Sequence, residues 1–135
     1  MTVIDASALA KYVLRERGWR EVYEFIRANK PIYSVDLIIK EVTNTLWKYV
    51  KRQSITDNVA LELFDAVMEL FDSGVIALEP ERYYLRDALT IALRSGITVY
   101  DSLYVAQAMV KGPLLTCDKE QANAARGLGV SVILM

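Results

Sequence analysis

Four acidic residues stand where a folded chain could bring carboxylates together: Asp5, Glu41, Asp101 and Asp118. Asp5 closes the apolar run Thr2-Val-Ile, and Asp118 closes Leu114-Leu-Thr-Cys117. Asp101 opens a long apolar segment, and Glu41 lies among Ile38, Ile39 and Val42. Carboxylates that meet in one pocket repel, two of them about 5 Å apart by roughly 3 kcal/mol at an effective dielectric near 20. Protonation or a cation must relieve that repulsion. No buried Lys or Arg is evident beside them, so the chemistry implied is a hard divalent ion, Mg²⁺ or Mn²⁺, held by oxygen ligands. Each residue also has a plainer explanation. Asp5, Asp101 and Asp118 can cap the helices that follow them, and Glu41 can be a helix residue whose stem packs while its head reaches water. Caps account for three of the four singly, but not for all four falling on one edge of a fold.

Neighbouring hydroxyls and amides suit the same site. Thr116 is two residues from Asp118 at a strand end, so the two share a side. Ser7 follows Asp5 by two, and Asn44 lies one helical turn beyond Glu41. Ordinary local hydrogen bonding explains these three equally well.

Composition narrows the chemistry further. The chain has 135 residues and no histidine. Ser-His and Cys-His nucleophile pairs and His-ligated zinc are therefore excluded. The single Cys117 permits no intrachain disulfide, which fits a reducing cytoplasm. Hydrophobic residues make up 53% at a net charge of −1, which excludes disorder and predicts one core and one domain over residues 1–135. The longest charge-free stretches, 102–110 and 127–135, are too short to cross a bilayer. Asp5 interrupts any N-terminal leader, so the expected location is cytoplasmic. Residues 1–52 carry a net positive charge and 53–135 a net negative one, so a basic face able to meet phosphates is compatible with near neutrality.

The elements that would position these residues alternate. Strands are predicted at Thr2–Asp5, Pro31–Ser34, Val75–Leu78, Leu114–Cys117 and Val130–Leu134. Helices are predicted over Ser7–Glu16, from Trp19 to Asn29, from Leu37 to a basic end at Lys48, Lys51 and Arg52, after a Thr56 or Asp57 cap to Gly74, from Pro80 to Arg94, from Asp101 to Val110 and over Lys119–Leu128. The acids Glu62, Asp65, Glu69 and Asp72 fall on one solvated helix face. Strand–helix alternation implies a three-layer α/β/α sandwich around a mainly parallel sheet, with ligands bound outside the strands' carboxyl ends. Asp5 and Asp118 belong to that edge.

Motifs at these positions resemble those of the PIN-domain family. Val3-Ile-Asp-Ala-Ser7 is similar to its opening motif, and Glu41-Val-Thr-Asn-Thr-Leu46 to its helix-borne Glu followed by Asn. Val99-Tyr-Asp-Ser-Leu-Tyr-Val-Ala106 and Leu115-Thr-Cys-Asp118 resemble its third and fourth acidic motifs. The likeness spans nearly the whole chain in order. Ser102 stands where relatives often have Ala. The small size resembles the VapC toxins of toxin–antitoxin pairs. The resemblance implies a Mg²⁺- or Mn²⁺-dependent ribonuclease with Asp5, Glu41, Asp101 and Asp118 as metal-site residues, Asp5 and Asp101 foremost. Ser7, Thr116 and Asn44 would support the site. It further implies an RNA substrate, a homodimer and a small inhibitory antitoxin. Two other functions remain open: a PIN-like module that binds without catalysis, and a receiver-type phosphoacceptor domain. The latter is disfavoured because Ala6-Ser7 follows Asp5 where a second acid would be needed.

Overall fold

The computed structural model describes all residues from Met1 to Met135. Five short strands, β1 (Val3–Ile4), β2 (Ile32–Val35), β3 (Ile76–Glu79), β4 (Leu114–Thr116) and β5 (Val132–Leu134), form one sheet in the order β3-β2-β1-β4-β5. Every pairing is parallel, with Val3 opposite both Tyr33 and Leu114. Val3, Ile4, Ile32, Leu114 and Leu115 have no exposed surface. Near-continuous apolar strands are what a parallel sheet covered on both faces requires.

The helices are α1 (Ala6–Val13), α2 (Trp19–Asn29), α3 (Leu37–Lys51), α4 (Asp57–Asp72), α5 (Leu85–Ser95), α6 (Val99–Lys111) and α7 (Lys119–Gly127). The chain steps outward from β1 to β3 through α1–α4, then crosses back through α5 and α6 to β4. Right-handed crossovers put α1–α4 on one face and α5–α7 on the other. Packing agrees: α1 meets α2 and α3, α3 meets α4, and α6 lies across β2, β1 and β4 between α5 and α7. The reversal falls between β1 and β4, and it opens a crevice at their carboxyl ends.

The alternating elements and the three layers match the expectation from sequence, with shifted boundaries. Pro80 opens only a 3₁₀ turn, Glu81–Tyr83, before α5 begins at Leu85. That turn is fixed from outside, because the Glu81 N–H donates to Oδ1 of Asp36 at 3.0 Å. Helix α6 starts at Val99, two residues earlier than predicted, because Thr98 is its cap. The side chain of Thr56, rather than Asp57, caps α4, and Glu62, Asp65, Glu69 and Asp72 are all exposed along it. Helix α6 is buried from Ser102 through Ala108, as its all-round apolar character predicts. At its end Gly112 adopts φ +141°, and a Cβ there would stand 2.2 Å from the Met1 carbonyl oxygen, so only glycine fits.

Candidate functional site

The crevice holds an open cavity of about 720 Å³ whose wall includes Asp5, Glu41, Asp101 and Asp118, together with Ser7 and Asn44. The fold thus brings four carboxyl groups from four segments to one edge of the sheet. Thr116 does not line the cavity. It lies fully buried beneath it.

Asp5 is the best-anchored of the four. It follows β1, caps α1 and is 1% exposed. Its Oδ1 accepts from the Ser7 hydroxyl at 2.7 Å and the Ala8 N–H at 3.0 Å, while its Oδ2 accepts a short bond from the Thr116 hydroxyl. Burial raises its pKa to about 6, against the pull of those three donors and with a further push from Asp118. Ser7 in turn accepts from the Cys117 N–H at 2.9 Å, and Thr116 accepts from the Asp118 N–H at 3.0 Å. Two hydroxyls thus lace the ends of β1 and β4 together around one carboxyl group.

Asp118 caps α7, its Oδ1 accepting from the N–H groups of Glu120 and Gln121 at 2.9 and 3.1 Å. Its other oxygen faces no protein donor. Asp101 is not a cap. The Thr98 hydroxyl accepts from its backbone N–H at 3.1 Å, and the carboxylate stands one turn inside α6. Its pKa is raised by burial first and then by Asp118 and Glu120, with Thr98 opposing. Gln121 ties α7 to α6 by donating to the Asp101 carbonyl at 3.0 Å. Glu41, half-buried on α3, accepts from the Tyr104 hydroxyl at 2.5 Å. Burial raises its pKa and Asp101 adds to that, while Tyr104 and Lys48 lower it.

Three of the four carboxyl groups are therefore pushed upward, and they act on one another: Asp118 pushes Asp5 and Asp101 up, and Asp101 pushes Glu41 up. None has a Lys or Arg in ion-pair contact, since the chain's one salt bridge joins Lys111 to Glu79. Hard oxygen donors without a cationic partner are the donor chemistry that suits Mg²⁺ or Mn²⁺. Cys117 at the same wall does not suit it, because burial lifts its thiol to about 11. The carboxyl groups share the cavity less tightly than the sequence suggested: as placed, no three acidic or thiol side chains stand close enough to hold one ion. Oδ1 and Oδ2 of Asp5 and Oδ1 of Asp118 already accept from local N–H and O–H donors, so an ion would take the lone pairs that these bonds leave.

Sequence reasoning missed several residues of this wall. Lys40 and Lys48 on α3, Tyr49, Tyr100, Tyr104 and Gln121 all line the cavity. Lys40, Asn44 and Lys48 recur every four residues, a spacing that marks one helix face. Thr98 with Asp101 three residues later has the form of a capping box, which could have located the start of α6. Nothing in the sequence marks Gln121.

A doubly covered parallel sheet with acids at the switch between β1 and β4 is a PIN-type architecture. The PIN-domain family matches residues 2–127, and the chain belongs to that family. It is 34% identical over 124 residues to ribonuclease VapC3 of Pyrobaculum aerophilum, covering 90% of this chain and 92% of that protein. The crystal structure of PAE2754 from the same organism superposes with a TM-score of 0.68 at 26% identity, over 93% of this chain and 85% of that one. FitAcB from Neisseria gonorrhoeae shares the fold at a TM-score of 0.60 and 16% identity, over 98% and 96% of the two chains. No helix is long and apolar enough to cross a membrane.

Proposed function

We propose that this chain is a single-domain, metal-dependent ribonuclease over residues 1–135, acting in the cytoplasm as the toxin of a toxin–antitoxin pair. The observation that carries the proposal is the shared cavity wall of Asp5, Glu41, Asp101 and Asp118, with three of these groups raised and none neutralised by a basic side chain. Likeness to ribonuclease VapC3 supports RNA as the substrate and a small antitoxin as the partner.

Asp5, Asp101, Asp118 and Glu41 would hold Mg²⁺ or Mn²⁺. When bound, such an ion makes water a stronger nucleophile and stabilises negative charge on a phosphodiester. Ser7 and Thr116 set the orientation of Asp5 through their hydroxyl groups. Asp118, with one oxygen free of protein donors, is placed to orient the attacking water or accept its proton. Asn44 stands at the exposed rim, where it can meet the ribose–phosphate chain. Lys40 and Lys48, on the α3 wall, supply positive charge for flanking phosphates, which makes binding salt-dependent. Tyr100 is 61% exposed beside Asp101, where its ring is available for a base to stack on. A homodimer is part of the proposal; Trp47, 56% exposed on α3, is available to an interface, whereas Trp19 packs against the stacked pair Tyr12 and Tyr23.

The loose grouping of the carboxyl groups favours one other reading, a PIN module that binds RNA without cutting it. A cleavage assay with Mn²⁺ and single-stranded RNA separates the two, run beside Asp5→Asn and Asp101→Asn. Cleavage by the parent chain alone supports the enzyme. Equal cleavage by all three indicates a contaminating nuclease, and no cleavage with retained RNA binding indicates the binding module.

A further inference from the structure

One buried polar group at the cavity has no part in the chemistry above. Tyr104 is 1% exposed, and its hydroxyl makes the only hydrogen bond received by the Glu41 carboxylate. Buried phenols need a partner, and a backbone carbonyl commonly serves. Here the partner is an acid on α3, in the opposite helical layer, so the bond crosses the crevice from one face of the sheet to the other.

Its position on α6 is equally telling. Tyr104 follows Asp101 by three residues, so both project from the same side of that helix. Asp101 lines the cavity near the mouth of the helix, and the phenol lies one turn deeper. Glu41 has no other anchor. It sits on a half-exposed stretch of α3 and has no ion pair, although Lys48, two turns along the same helix face, attracts its charge. A glutamate carries three side-chain torsions, and one hydrogen bond to a rigid ring removes most of that freedom.

We infer that Tyr104 is the positioning residue of the site, fixing Oε1 of Glu41 so that the carboxylate is held at the cavity wall it shares with Asp101. The inference rests on the metal-dependent reading above. It gives α6 two roles in one helical turn: Asp101 contributes a ligand directly, and Tyr104 sets the place of a ligand carried by α3. Outer partners of metal ligands commonly contribute about ten- to a hundredfold to affinity.

Tyr104→Phe keeps the ring and removes only the donor. Mn²⁺ affinity is measured by titration calorimetry without RNA, with thermal melting to verify the fold. The expected result is a loss of about tenfold or more in affinity. In a Glu41→Gln background, the same Phe substitution is expected to add nothing further. Unchanged affinity in Tyr104→Phe overturns the inference, as does an equal loss in both backgrounds, which would mark a packing effect. Failure of the parent chain to bind Mn²⁺ would instead overturn the metal-dependent reading. Should Tyr104→Phe not fold, a crystal structure of the parent chain with Mn²⁺ decides. Glu41 bound to both the ion and the Tyr104 hydroxyl supports the inference, and a Tyr104 hydroxyl bonded elsewhere overturns it.

Discussion

Helix α6 serves two glutamates in opposite ways. Toward its start, Tyr104 donates to Glu41 beside Asp101 and Asp5. Toward its end, Gln107 donates to Glu79 at 2.9 Å, Lys111 approaches the same carboxylate at 3.4 Å, and Tyr84 adds a third donor at 2.7 Å. Burial pushes Glu79 upward, but Gln107, Tyr84 and Lys111 outweigh it, and its pKa falls below the usual range. Glu41 gains one donor and a like-charged neighbour, and its pKa rises. Both carboxylates are half-buried and each meets a phenol. The difference is the cation. Glu79 is a satisfied structural joint tying β3 to α6. The Glu41 end is left with excess negative charge, and such frustration marks functional sites more often than structural ones.

The sharpest way to break this contrast is to neutralise carboxylates at the Glu41 end. Asp5→Asn and Asp101→Asn are expected to lower Mn²⁺-dependent RNA cleavage by more than about a hundredfold while the fold persists. Cleavage kinetics on matched protein concentrations check this, and activity within a few-fold of the parent chain would place the chemistry elsewhere.

Proton linkage gives the next largest effect. Asp5 has its pKa raised from 3.8 to about 6 by burial. A raised acid binds its proton more tightly in the folded state, so its contribution is fully present below about pH 4 and is lost as the pH climbs through about 6. The difference is about 3 kcal/mol for two pKa units. In EDTA, the parent chain is expected to lose stability from pH 4.5 to pH 7, and Asp5→Asn to lose much less over the same interval. Chemical denaturation at both pH values checks the slope; parallel slopes would mean that Asp5 is not the group responsible.

At the other end of α6, Glu79→Ala removes the acceptor for Tyr84 and Gln107 and the partner of Lys111. It is expected to destabilise the fold by about 2 kcal/mol, a Tm fall of roughly 5–10 °C. Cleavage per folded molecule should be unchanged. A large activity loss without destabilisation would erase the distinction between the two ends. The smallest effects belong to the α3 wall. Lys40→Ala and Lys48→Ala are each expected to weaken RNA binding several-fold and to reduce the salt slope by about one. Fluorescence anisotropy across a range of salt concentrations measures both quantities, and an unchanged slope would remove that lysine from the phosphate path.

Much of this molecule is legible in its sequence. The spacing of apolar residues around Gly and Pro breaks specifies five strands and the helices between them, because a period of two or of 3.6 is a local property of the chain. The absence of histidine limits the chemistry to oxygen donors, and four ordered acidic motifs identify the family. Helix starts were less legible: Thr98 rather than Asp101 caps α6, since either residue type can accept from a free helical N–H and only the backbone geometry decides. What the tertiary structure alone decided is which acids are left without compensation. Glu41 and Glu79 look alike in one dimension, each next to an apolar residue, Val42 or Leu78. Lys111 reaches one and not the other because of how α6 lies across the sheet, and Tyr104 meets Glu41 only because two helical layers converge at the carboxyl ends of the strands. Electrostatic balance depends on distance in space, and distance in space between remote segments is settled by packing.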